Sequence, residues 1–80
     1  MSREILVAIQ KDGATIRYLL EVFPEGEHWT STLAKLDTRG EPESARVAPR
    51  FYGLSADQAR RRMISVLENE YDEVRPLPGA

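Results

Sequence analysis

Few side chains in this chain are of types that do covalent or metal chemistry, and their spacing argues against it. His28 is the only histidine and there is no cysteine. Thiolate chemistry, disulfide staples and thiolate metal sites are therefore excluded. His28 stands beside a turn signal, where it reads as a solvated strand-end residue and lacks the partner that a general base needs. The sequence holds neither a G-x-S-x-G nucleophile elbow nor a glycine-rich phosphate loop. Glu68 and Asp72 lie one helical turn apart with Glu70 and Glu73 nearby, a set of oxygens that reads as a solvated acidic helix end. These observations predict a protein that is not an enzyme and that uses no metal and no cofactor.

Cations interleaved with aromatic and aliphatic groups form the second pattern. Arg17, Trp29, Lys35, Arg46, Arg50 and Tyr52 recur along strand-like segments together with Leu6, Leu19 and Leu33. Exposed Trp or Tyr rings stack on flexible bases at roughly 1–3 kcal/mol per base while Arg and Lys neutralise phosphates. The leucines offer the other use of such a surface, an apolar patch that meets another protein chain or a second copy. Arg60, Arg61 and Arg62 do not form one cationic patch, because successive helical residues point about 100° apart. Asp57 is placed to pair with Arg61 at i,i+4. Arg60 falls within the apolar arc, with its stem along the core edge and its guanidinium snorkelling out, or else as a positioned cation at the seam between helix and sheet.

Length and charge set the frame for these residues. Eighty residues make one small domain, which buries only about 60% of its unfolded surface and gains from association. The net charge of −2 argues against a strongly basic nucleic-acid binder. It is unevenly spread, however. Residues 44–65 carry five arginines against Asp57 alone, whereas residues 21–43 carry six acids against Lys35 and Arg39. The run Ile5 to Ile9 is too short for a signal peptide or a membrane span, so the chain is expected to be cytoplasmic with no membrane partner.

The elements that must position these residues begin with a helix from Ser55 to Tyr71. Ser55 and Gln58 have the spacing of a capping box in which Gln58 reaches back to the cap's own N–H. Ala56, Ala59, Met63, Ile64, Val66, Leu67 and Tyr71 gather on one side, so the helix docks on something apolar. Upstream, Asp12-Gly13 predicts a two-residue type I′ hairpin that sets Ile9 opposite Ile16, Val7 opposite Tyr18 and Ile5 opposite Leu20. That register puts Ile5, Val7 and Ile9 under the helix, and Glu4, Leu6, Ala8, Arg17, Leu19 and Glu21 on the reverse face. Pro24-Glu25-Gly26 fits a three-residue loop that places Trp29, Leu33 and Lys35 on the uncovered face and Thr30, Thr32, Ala34 and Leu36 beneath the helix. A two-residue loop at Glu25-Gly26 would instead send Trp29 into the core.

Residues 38–44 read as a mobile polar loop, followed by a strand over residues 45–52. There Val47 and Phe51 face the core while Arg46, Ala48, Arg50 and Tyr52 face away. Pro49 makes this strand an edge or a bulge. The expected architecture is α+β, a two-layer sandwich of a four-stranded antiparallel meander with one C-terminal helix on one face. It fills residues 1–74, and residues 75–80 form a flexible tail. In element order over residues 4–71, the chain resembles PUR repeats and the single-stranded-DNA-binding transcriptional coactivators. That resemblance implies single-strand binding on a sheet surface and pairing of subunits through swapped or packed elements, and it assigns no residues. The expectation is thus a small binding module that takes single-stranded DNA or RNA on its helix-free face. The alternative is a protein–protein interaction or homodimerisation module using the same face.

Overall fold

Which side chains face the helix is decided at the turns. The computed structural model describes residues 2–43 and 49–77. Strands β1 (Ser2–Ile9), β2 (Thr15–Glu25), β3 (His28–Lys35) and β4 (Arg50–Gly53) precede helix α1 (Ala56–Glu70), and β5 (Glu73–Pro76) follows it. They form one antiparallel sheet of order β4-β3-β2-β1-β5 with α1 on one face. The α+β meander with a packed helix is the expected architecture, enlarged by one strand.

The first turn is not the expected two-residue loop. Among the described residues only glycines have positive φ, so Asp12 stays out of the left-handed region that a type I′ turn requires. Gln10 and Ala14 close the hairpin instead, with the Gln10 amide donating to the Ala14 carbonyl at 2.8 Å and Gly13 in the bulge position at φ 88°. The Asp12 carboxylate accepts from the Ala14 amide at 2.9 Å. This three-residue loop shifts the register by one, so that Glu4 faces Leu20, Leu6 faces Tyr18 and Ala8 faces Ile16. Side chains alternate with period two, so all of β1 turns over. Leu6 and Ala8 are buried under the helix, whereas Ile5, Val7 and Ile9 stand on the opposite face.

The second turn is also shifted. Glu25 pairs with His28 across Gly26-Glu27, with Gly26 at φ 63° in the first corner, as in a type II′ turn. Trp29 therefore opposes Pro24, on the same side as Val22 and Leu20, and packs against the core. Leu33 is buried there too. Pro24 lies past the Ser2–Val22 pairing, where β3 is the only neighbour of β2 among the described residues and a missing N–H is tolerated. Residues 37–43 form a hydrogen-bonded turn. The Asp37 carboxylate accepts from the Arg39 and Glu41 amides at 2.8 and 3.0 Å, and Leu36 bridges Pro42. Ser44, Ala45, Arg46, Val47 and Ala48 lie outside the described residues.

The helix matches its sequence signals closely. Ser55 Oγ accepts from the Gln58 amide at 3.1 Å, while Gln58 Oε1 reaches back to the Leu54 amide at 2.6 Å, one residue beyond the cap. Ala59, Met63 and Leu67 are buried against Leu6, Leu20, Val22 and Leu33, with Ala56, Ile64, Tyr71, Phe51 and Val74 packed around them. Each large aliphatic side chain so buried contributes about 1.5–3 kcal/mol. Ser31, itself buried, donates to the Ala59 carbonyl at 2.7 Å and ties the helix to β3. After Tyr71 the Asp72 amide donates to the Ile9 carbonyl at 3.1 Å, and β5 zips onto β1 with Val74 opposite Ala8 and Arg75 opposite Val7. Arg75 and Pro76, expected in a flexible tail, are thus strand residues.

Two expectations follow from this packing. A Cβ added at Gly53 would stand 2.6 Å from the Ala59 backbone nitrogen. Gly53→Ala should therefore destabilise the fold by about 1–3 kcal/mol in urea unfolding, as other overpacked sites do. The Tyr18 phenol is half-buried and bonded to the Tyr71 hydroxyl at 2.6 Å. Burial, reinforced by that bond, raises its pKa well above the usual 10. The folded state then holds a proton that the unfolded state releases, so stability is intact below pH 10 and falls as pH rises beyond it. In alkaline thermal scans, Tyr18→Phe should flatten this loss.

Candidate protein-interaction face

Cross-strand register sorts the helix-free face into rows. The first row is Phe23, Thr30 and Tyr52; next come Arg3, Glu21, Thr32 and Arg50. An aliphatic row of Ile5, Leu19 and Ala34 follows. Beyond it lie Arg75, Val7 and Arg17, and then Glu73, Ile9 and Thr15. Ile5, Val7, Ile9, Leu19 and Phe23 are each half-buried and take no part in the core cluster under the helix. They form a second apolar layer, on a face that no element among the described residues covers. Among the described residues only Thr30 is fully buried on this side, between Phe23 and Tyr52, with its hydroxyl donating to Glu25 at 3.2 Å.

The structure divides the residues expected on this face. Arg17, Leu19, Arg50 and Tyr52 are there. Leu6, Trp29 and Leu33 are on the helix side, because both turns shifted the parity of their strands. Lys35 pairs with Tyr18, so its position also belongs to the helix side, at an exposed strand end. Arg46 lies outside the described residues. Arg17 and Lys35 still meet at one place, a groove of about 590 Å³ that Asp37 and Glu43 also line. Its two carboxylates offset its two cations. The sequence reading missed Ile5, Val7, Ile9 and Phe23 as members of the open face. An unbroken apolar run such as Ile5–Ile9 is the signal for a strand with two apolar faces.

The charges on this face are mostly matched within the chain. Arg3 meets Glu21 at 3.4 Å, Arg50 meets Glu25 at 3.3 Å, and Arg75 meets Glu73 at 2.7 Å. Hydrogen bonding to Glu73 raises the Arg75 pKa further above its ordinary value. Arg17 is the one arginine of this face with no carboxylate partner among the described residues. Four arginines against Glu21, Glu25 and Glu73 leave a face close to neutral, which is a weak attraction for a polyanion. At the β3–β4 corner, the His28 and Tyr52 rings meet edge-on at 4.9 Å, and Arg62 donates to the Tyr52 carbonyl at 2.9 Å. His28 Nε2 lies 3.7 Å from Glu25. Tyr52, 48% exposed, is the most open of the aromatics on this face among the described residues, beside the half-buried Phe23 and His28.

Arg60 proves to be the positioned cation at the seam. Its guanidinium grips Glu4 with bonds of 2.5 and 3.3 Å between α1 and β1, and this pairing raises its pKa. Glu4 therefore faces the helix and not the open side. Arg61 pairs with Asp57 at 2.9 Å as its i,i+4 spacing predicts. Among the described residues no group of three or more His, Cys, Asp or Glu is arranged to hold a metal, and no helix is long and apolar enough to cross a membrane.

No protein-family model matches the chain, and no curated protein or solved structure is significantly similar to it. The placement of Trp29 has a direct spectroscopic consequence. Its fluorescence should be blue-shifted relative to the urea-unfolded protein and unchanged by single-stranded oligonucleotide. Quenching of that emission by oligonucleotide would mean that the indole stacks on bases after all.

Proposed function

We propose that this chain is a non-enzymatic protein-interaction module that works by burying the helix-free face of its sheet against another polypeptide surface. The observation that carries this reading is the apolar layer of Ile5, Val7, Ile9, Leu19 and Phe23 outside the core. Ile5, Val7, Ile9 and Leu19 adjoin on β1 and β2, with Phe23 beyond the Arg3–Glu21 row. An apolar patch on a small domain usually marks an interface, and association adds the burial that an 80-residue core lacks. The paired arginines and glutamates around the stripe form a polar rim. The same placement weakens the single-strand reading. With Trp29 packed on the core, the face keeps Tyr52 and the half-buried Phe23 and His28 as its aromatics, and most of its cations already have carboxylate partners.

Salt and nucleic acid test this reading together. In amide-resolved NMR at low salt, mixed-sequence single-stranded DNA and RNA should leave Ile5, Val7, Leu19, Phe23 and Arg17 unmoved. Oligonucleotide shifts across these residues that fade steeply with added salt would overturn it. Leu19→Asp places a charge at the centre of the stripe on an already solvated side. It should leave the far-UV spectrum unchanged and abolish binding of an apolar fluorescent dye to the face.

A further inference from the structure

On the helix-free face, we propose, this module docks a second copy of itself, by a two-fold axis passing over Leu19 that sets Glu21 of each copy against Arg17 of the other. This inference rests on the interface reading above and specifies its occupant. Three features of the sheet lead to it.

The first is the position of Leu19. β2 is the middle strand of the five, and Leu19 lies on its open side, next to the midpoint, between Ile5 on β1 and Ala34 on β3. Leu19 thus marks the centre of the aliphatic row. The second is the condition of the sheet's edges. β4 and β5 have four residues each, Pro49 precedes β4, Pro76 ends β5, and Arg50, Glu73 and Arg75 line them. Short edges with proline and charge resist strand addition, so a copy adds by its face and not by its edge.

The third is charge. Along the open side of β2 the residues run Thr15, Arg17, Leu19, Glu21, Phe23 and Glu25. Arg17 and Glu21 are equidistant from Leu19 and opposite in sign. Packed sheets lie about 10 Å apart with their strands nearly aligned. A two-fold axis crossing β2 at right angles, in the plane between two such sheets, lays β2 antiparallel over its copy. Leu19 then meets Leu19, and each Arg17 faces a Glu21, twice over by symmetry. Glu21 already holds its own Arg3 at 3.4 Å. A carboxylate has lone pairs for both cations. The arrangement supplies a partner for the one arginine of this face that has none among the described residues.

Charge reversal tests the register directly, with dimer dissociation read by analytical ultracentrifugation. Wild-type protein should dimerise. R17E and E21R, each placing like charges together at both symmetric contacts, should raise the dissociation constant about tenfold or more. Mixing the two single variants should regenerate a heterodimer of near wild-type affinity, because each contact again joins opposite charges. The double variant R17E/E21R should dimerise like wild type. Circular dichroism and thermal melts keep a failure to fold apart from a failure to pair, since both positions are on the solvated side. A strict monomer at millimolar concentration would overturn the second copy as occupant, and so would single variants that fail to recover on mixing. Neither result would touch the interface reading, whose own failure is oligonucleotide binding on this face.

Discussion

Helix α1 approaches the sheet so closely at Gly53 that a side-chain carbon there would collide with the Ala59 backbone. The buried Ser31 hydroxyl spans the same gap to the Ala59 carbonyl. Glu4 and Arg60 close the seam on the β1 side. These contacts fix the helix over one face, and a single helix covers no more than one. Because strand side chains alternate, every residue of β1, β2 and β3 is thereby assigned either to the core or to the open side.

The assignment leaves the domain with two apolar layers of different standing. Beneath the helix, Leu6, Leu20, Val22, Leu33, Met63 and Leu67 are almost wholly removed from water and supply the hydrophobic stabilisation. On the other side, Ile5, Val7, Ile9, Leu19 and Phe23 are only half-buried, among their own cross-strand neighbours. The ion pairs around them are exposed, and such pairs contribute about 0–1 kcal/mol. They do little for stability, but they keep the face close to neutral and give it a rim of both signs. The short, proline-bearing, charged edges disfavour strand addition. Sheet geometry and charge thus support the same functional reading.

Much of the fold was legible in the sequence because its signals are local. Ser55, Gln58 and the apolar arc from Ala56 to Tyr71 specify a helix with few competitors, and the helix formed where they placed it. The Arg61–Asp57 pair follows from helical spacing alone. The open side of β2 was also legible, since Arg17, Leu19 and Glu21 alternate with Ile16, Tyr18, Leu20 and Val22. Strand β5 was missed because Glu73–Pro76 has one apolar residue in four, and its pairing depends on an edge that β1 offers only after folding.

The sequence by itself determined the element order through β4 and α1, the helix's apolar side, the facing of β2 and the absence of cysteine chemistry. Tertiary structure decided the registers of β1 and β3, and with them the burial of Leu6, Trp29 and Leu33 and the exposure of Ile5, Val7 and Ile9. The physical reason is parity. A change of loop costs little locally, since the sequences around Asp12-Gly13 and Gly26 each accept more than one turn, yet any odd shift of register, one place at the first turn and three at the second, inverts an entire strand. With Ile5–Ile9 apolar at every position, the local pattern of β1 carries no preference between the two faces. What separates them is which set of side chains fills the space under α1, and that space exists only once helix and sheet have met.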